Sequence, residues 1–294
     1  MEFNNIKGNT WMACGPVNIG AYVKEGEAVL IDSGNDSSSG RKILRLAEEK
    51  GWKIRLIINT HFHADHVGGN AFIQKRTGCA IAASAKEAPF INMPEMEPEI
   101  LWSGRAPKAI CNKFLQAEPS KVTLTAEPDT VIEVWGLRIV PLYGHAHGQI
   151  GVLTPDGVLF TADSVISGRI LSKYGIPFTA DYGSAMETFD MLESFSADYF
   201  IPSHGDICED IVPVTEANRK CLNALREEIL EICSEPSTRD GIVGKLAQRH
   251  GLDMNLSQYV LIQSTVAAIL SPLIDSGELL CSFENGTLSL ESRH

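Results

Sequence analysis

"INTHFHADHVGGN", residues 58–70, places three histidines and an aspartate within positions 61–66, directly after an apolar run. The whole chain holds eight histidines in 294 residues, so the crowding is local and asks for a chemical reason. On an extended or turning segment His61 and His63 can both turn inward, while Asp65 and His66 face a second point nearby. Imidazole nitrogens joined by a carboxylate make a ligand set for zinc or iron. A solvated polar loop needs no such concentration. Two metals require more ligands than these four residues supply, and the chain offers three more. His145 in "YGHAHGQ", Asp163 in "LFTADS" and His204 in "IPSHGD" each follow an apolar, strand-like run.

Working outward, "IRLIINT" (54–60) is rich in β-branched residues and reads as a buried strand. The cluster therefore sits just past a strand's C-terminal end, where α/β proteins commonly place their sites. "NIGAYVKEGEAVLIDSG" (18–34) reads as two strands joined around Gly26, the second ending at Asp32. "SSSGRKILRLAEEKG" (37–51) reads as a helix with serines to cap its start and Gly51 to end it. Residues 84–120 hold five of the fourteen prolines and no clean periodicity, which predicts an irregular insertion bordering a cleft. Strands are expected in "VIEVWGLRIVPLYG" (131–144) and "IGVLTPDGVLFTADS" (150–164), the latter a hairpin. Helices are expected in "SAMETFDMLESF" (184–195) and "EANRKCLNALREEILEIC" (216–233). From Pro236 onward, helical patterns lead into a hairpin signal at Asn285-Gly286, which suggests a winged-helix-like region over 236–294 after a catalytic domain over 1–235.

Composition narrows the function classes. With 44% apolar and 21% charged residues the chain has enough length and core for one large or two smaller domains. A net charge of −12 weighs against nucleic-acid partners, whose binding draws on neutralised phosphates. Residues 236–294 repeat that balance, four basic side chains against six acidic, so the tail reads as a packing or homodimer element rather than a DNA reader. The N-terminal "MEFNNIKGNTWMACGP" has no signal-type segment, and no stretch approaches the ~20 apolar residues of a membrane helix. The expectation is a cytoplasmic protein acting on a small molecule, with no membrane partner. Seven scattered cysteines without a Cys-x-x-Cys pair predict mostly buried, reduced thiols.

Five elements fall in order across roughly residues 10–210: Asp32 in "LIDSG", the "THFHADH" run, Gly144-His145 followed by Gly148, Asp163 after "GVLFTA", and His204 in "PSHGD". In this the chain resembles the metallo-β-lactamase-fold hydrolase superfamily. The resemblance implies an α/β architecture, an αββα sandwich with the site at one edge of its paired sheets. It implies that His61, His63 and His145 hold one metal, that Asp65, His66 and His204 hold the other, and that Asp163 bridges them. Asp32 becomes a support for the ligand loop, and the Gly148 register selects His145 over His147. The cofactors implied are two divalent ions, zinc first, with iron or manganese as alternatives. Such a pair acidifies a bridging water, making hydroxide available near neutral pH, and polarises the substrate oxygen. Asp65, the carboxylate nearest that water, becomes the catalytic candidate that orients it or passes a proton to the leaving group.

Departures within the superfamily sharpen this expectation. Asp163 stands where the zinc β-lactamases that use a thiolate carry Cys, which moves the resemblance toward the glyoxalase II-like, lactonase and nuclease branches. His63 stands where flavodiiron oxidoreductases carry Glu. The lactonase-like tyrosine shortly after the bridging aspartate is missing, since "DSVISGR" follows. The leading expectation is a binuclear hydrolase of a small ester, thioester or lactone. A phosphodiesterase or nuclease is the second reading and needs a basic cleft from Arg105, Lys108, Lys113, Arg169 and Lys173. A mononuclear iron persulfide dioxygenase on His61, His145 and Asp163 is the third. Tyr143, Tyr174 and Tyr182 flank the motifs as pocket candidates, and Cys208 is a thiol four residues past His204.

Overall fold

A computed structural model describes residues 1–293, with the Tyr174 side chain and residue 294 outside the described part. Strands β1 (Phe3–Lys7), β2 (Thr10–Ala13), β3 (Ile19–Lys24) and β4 (Glu27–Ile31) follow one another antiparallel. Helix α1 (Ser37–Glu49) then crosses to β5 (Lys53–Ile58), parallel to β4. Helices α2 (Ala64–Val67) and α3 (Asn70–Thr77) lead to β6 (Ala80–Ala83), and α4 (Ala88–Asn92) and α5 (Met96–Trp102) lead to β7 (Leu124–Thr125). These strands form a seven-stranded sheet in sequence order. A second sheet holds β8 (Val131–Ile132), β9 (Leu137–Pro141), β10 (Ile150–Leu153), β11 (Val158–Ala162) and, beyond α6 (Gly168–Tyr174) and α7 (Tyr182–Ser194), β12 (Tyr199–Pro202). Its order is β12-β11-β10-β9-β8. Helices α8 (Val212–Ile232), α9 (Arg239–Arg249) and α10 (Leu256–Asp275) and the hairpin of β13 (Leu279–Glu284) and β14 (Thr287–Ser292) complete the chain.

Strand alternation explains the layering, because successive side chains of a strand face opposite sides. Ile31 and Ile58 point toward the second sheet and meet Ile139, Val152 and Phe160. Their neighbours Leu30 and Ile57 point away and meet Ile43 and Leu46 of α1 and Ile73 of α3. On the far side, Val140, Leu159 and Phe200 pack against Phe189 and Leu192 of α7 and Leu222 and Leu225 of α8. The result is helix, sheet, sheet, helix, the αββα sandwich that the resemblance implied.

Several local expectations need correction. The cap of α1 is Asp36, whose carboxylate accepts the N–H groups of Ser38 and Ser39, both at 3.0 Å, so the serines are capped rather than capping. The insertion over 84–120 is not wholly irregular: α4 and α5 form within it, with Pro89 in the first turn of α4. Among the cysteines, Cys79 and Cys233 are buried, whereas Cys14, Cys111 and Cys281 are exposed, against the expectation of mostly buried thiols. Helix α10 is long and apolar enough to cross a membrane by length and composition. Its Val260, Val266, Ile269, Leu270 and Leu273 are nevertheless buried within the protein, most of them in the core shared by α7, α8, α9 and the final hairpin. That hairpin turns at Asn285 and Gly286 with φ of 50° and 80°, the left-handed pair that a type I′ turn demands.

One stretch of the fold positions the histidines directly. The short α2 turn lies against the loop after β4, so tightly that a Cβ on Gly68 would come within 2.2 Å of the Asn35 carbonyl carbon. One on Gly69 would come within 2.3 Å of the Ser33 oxygen. Side chains cannot enter there, which is why the ligand run ends in "VGG".

Candidate metal centre

The seven candidate ligands converge from both sheets. The turn after β5 supplies His61, His63, Asp65 and His66, while the loops after β9, β11 and β12 supply His145, Asp163 and His204. Three overlapping groups lie within metal-ligating reach: His61 with His63 and His145, His61 with His66 and Asp163, and Asp65 with His66 and His204. In the first group the His63 Nδ1 stands 3.0 Å from His61 Nε2 and 2.9 Å from His145 Nε2. Asp163 of the second group reaches into all three, its Oδ2 lying 3.4 Å from His66 Nε2, 3.4 Å from His204 Nε2 and 3.6 Å from His145 Nε2. Asp65 closes the set, 3.3 Å from His204 Nε2 and 3.7 Å from His66 Nε2.

Four of the five rings have their outward nitrogen fixed. His61 Nδ1 meets Thr60 Oγ1 at 3.0 Å, His66 Nδ1 meets Asp32 Oδ2 at 2.8 Å, His145 Nδ1 meets the Phe178 carbonyl at 3.1 Å, and His204 Nδ1 meets the Pro16 carbonyl at 2.9 Å. Such partners set the orientation of each ring and leave the inward nitrogen for an ion. Asp32 also accepts the Thr60 N–H at 2.9 Å and the Thr60 hydroxyl at 2.8 Å. The donor set fits divalent cations: His66 Nε2 and Asp163 Oδ1 are buried with no hydrogen-bond partner, as atoms facing an ion's place would be.

Electrostatics divides the centre in two. Burial, reinforced by His145, pushes His63 down to about 3, and burial likewise holds His61 and His145 below the ordinary imidazole range. The other half is charged. Burial opposes a proton on His66, but the carboxylates of Asp163, Asp65 and Asp32 together hold it well above the ordinary range. Asp163 is the main cause that lifts His204 to about 10. Burial disfavours the Asp65 anion, yet His66 and His204 hold its carboxyl down to about 2. Without metal, therefore, the protein keeps a neutral trio beside two imidazolium–carboxylate pairs. Ligation requires the His66 and His204 nitrogens to lose their protons, so zinc uptake at pH 7 is expected to release roughly two protons per chain. Affinity should rise as pH climbs toward the raised values. Calorimetric titration in buffers of different ionisation enthalpy measures the release, and a value of zero would remove these two rings from the ligand set.

The two halves also differ in access. Phe178 packs edge-on against His63 and His145 at 5.1 and 5.4 Å between ring centres. Phe62, stacked on Phe90 at 4.3 Å, lies against His63 as well. Opposite them, His204 lines a cavity of ≈ 380 Å³ together with Met12, Cys14, Asn18, Arg169 and Ile207. The Asp65 side chain is 34% exposed. The centre thus opens to the cavity on its His204 side.

Other expected positions fall elsewhere. His147 is exposed, as the Gly148 register implied. Of the five cations named for a basic cleft, Arg169 lines the cavity and Lys113 pairs with Asp36 at 3.6 Å. The Cys208 thiol turns to the Phe200 carbonyl, and the Tyr182 hydroxyl donates to Asn223 on α8 at 2.6 Å. Two buried acids escaped the sequence reading. Burial pushes Glu87 up to about 7 and holds Glu97, which also faces the charges of Asp65 and Glu87, well above the ordinary range. Both sit in the proline-rich insertion, where "SAKEAPF" and "MEPEI" look like surface sequence.

Comparison with known proteins adds independent findings. A family model described as the metallo-beta-lactamase superfamily matches residues 12–204. A probable metallo-hydrolase of Methanocaldococcus jannaschii is 25% identical over 185 residues, 61% of this chain and 83% of that protein. A hydroxyacylglutathione hydrolase of Cereibacter sphaeroides is 32% identical over 126 residues, which span 42% of this chain and 39% of that enzyme. Two solved structures share the fold. A beta-lactamase domain protein from Burkholderia ambifaria matches with a TM-score of 0.77 at 17% identity, covering 99% of this chain and 93% of its own. A metallo-beta-lactamase family protein from Thermus thermophilus matches at 0.75 and 20% identity, with 94% of each chain covered.

Proposed function

Because this chain belongs to the metallo-beta-lactamase superfamily, we propose that it is a binuclear metal-dependent hydrolase of a small ester, thioester or lactone. His61, His63 and His145 would hold one ion, Asp65, His66 and His204 the other, with Asp163 between them. The observation that carries this reading is the Asp163 carboxylate, one oxygen of which stands within 3.6 Å of three imidazole nitrogens. When bound, two divalent ions supply an acidified water and polarise the scissile carbonyl.

The remaining work falls to the protein's own side chains. Asp65, anionic at neutral pH and partly exposed, accepts a hydrogen bond from the attacking water and orients it. Phe178 and Phe62 pack against His63 on the trio side. The similarity to a hydroxyacylglutathione hydrolase, together with the acidic chain, favours an acyl substrate over a polyanion.

Elemental mass spectrometry on untagged wild type and on His66→Ala, followed by an ester, thioester, lactone and phosphodiester panel, tests the proposal. About two zinc or manganese ions per chain, falling by at least one in the variant, with acyl hydrolysis in the panel, is the expected result. One iron per chain, unaffected by the substitution and accompanied by persulfide-dependent oxygen uptake, would replace this reading with the dioxygenase.

A further inference from the structure

Glu87 is 1% exposed and lies in the turn between β6 and α4, outside the ligand set. Its Oε2 accepts the Phe62 N–H at 3.0 Å and its Oε1 accepts the Gly148 N–H at 2.7 Å. Phe62 sits between His61 and His63, and Gly148 closes the loop that begins at Gly144-His145. One carboxylate therefore bridges the two backbone segments that carry the trio. Ser84 strengthens the tie, its hydroxyl donating to the Gly148 carbonyl at 2.7 Å. The approach is too close for a side chain: a Cβ on Gly148 would stand 2.8 Å from Glu87 Oε1 and 2.7 Å from Ser84 Oγ.

We propose that Glu87 is a positioning residue, clamping the His61-Phe62-His63 segment to the His145 loop and so setting the geometry of one ion's site. A buried acid that merely needed hydrogen bonds could take them from its own turn. Glu87 instead reaches 25 and 61 residues along the chain, to two ligand loops at once. Asp32 supports the other half directly through the His66 ring. The division predicts selectivity. Loss of Glu87 weakens the ion on the trio and spares the ion on Asp65, His66 and His204.

The proposal rests on the ligand reading above, and the test separates the two. Full-length wild type, Glu87→Gln, Gly148→Ala, His63→Ala and His204→Ala are each stripped of metal and titrated with cobalt(II), following visible absorption, bound metal and near-ultraviolet dichroism. Glutamine keeps the shape but offers an N–H to one of the two N–H groups, and Gly148→Ala pushes the carboxylate away without changing charge. Both variants should lose about tenfold to a hundredfold in affinity for one ion, as losing such a support typically costs. Their cobalt spectra should shift as that of His63→Ala does, not as that of His204→Ala. Two ions bound with wild-type affinity and spectrum overturn the clamp. Equal loss of both ions together with the dichroism overturns it too, by making Glu87 a general support of the core. Wild type binding fewer than two ions would instead bring down the ligand reading itself.

Discussion

Asp163→Ala is expected to leave at most one ion per chain and to lower kcat/KM by roughly a thousandfold or more, about 4 kcal/mol of transition-state stabilisation. The size follows from where the carboxylate stands. Its Oδ2 is 3.4 to 3.6 Å from nitrogens of His66, His145 and His204, and its Oδ1 is buried with no partner. In the proposed assignment it is the carboxylate placed between the two ions, and two cations brought together without that anion would repel. In the metal-free protein the same change strips His204 of the main charge that keeps it protonated. Asp163→Asn separates shape from charge: it keeps an oxygen acceptor but loses the anion, so it should retain the fold and still lose metal. Bound metal and steady-state kinetics check both variants. Wild-type stoichiometry with activity within tenfold of wild type would show that Asp163 is a bystander.

Asp32→Ala is expected to carry the largest cost in stability, about 3 to 5 kcal/mol. Asp32 is 1% exposed, sits in the left-handed region at φ 63°, and accepts hydrogen bonds from the Thr60 amide, the Thr60 hydroxyl and the His66 ring. Alanine leaves all three donors buried and unpaired, and it gains nothing from the backbone strain. For a chain of this length the melting temperature should fall by about 5 to 8 °C. The loss depends on pH. His66 is held above its unfolded value, so the stability from its pairing is fully present below about pH 6.5 and fades as pH rises through the raised folded-state value. Metal-free Asp32→Ala should therefore lie furthest below metal-free wild type in acid. Thermal melts from pH 6 upward measure this, and a gap that widens as pH rises would rule out the His66 contribution.

The candidate ligands were legible because each lies in a short loop just past an apolar run, where sequence neighbours stay neighbours in space. Asp65 and His66 could be placed from spacing alone. His145, Asp163 and His204 could be found by asking what two ions still lacked. Asp32, 34 residues from the ring it holds, emerged through the family resemblance rather than from spacing. The clamp at Glu87 could not be read, since its partners are backbone amides that carry no residue signature. Thr60 was invisible for a related reason: a threonine closing a strand looks like a β-former, and its hydroxyl gains meaning from Asp32 and His61. Helix α10 was under-read: the sequence shows no membrane-length apolar stretch, yet the helix is long and apolar enough for one by length and composition. Its apolar surface reflects burial against neighbouring helices, whose apolar partners lie far away in the chain.

The split origin of the candidate ligands, four from the turn after β5 and three from loops of the second sheet, would give ions held there a second role as cross-links. They would join two slabs of protein that also meet through nonpolar packing, much as a bolt joins two plates. Occupancy and cohesion of the sandwich are then one linked equilibrium. Whatever pries the sheets apart releases metal, and whatever sequesters metal loosens the sheets, so the enzyme's activity doubles as a gauge of whether its two halves are seated.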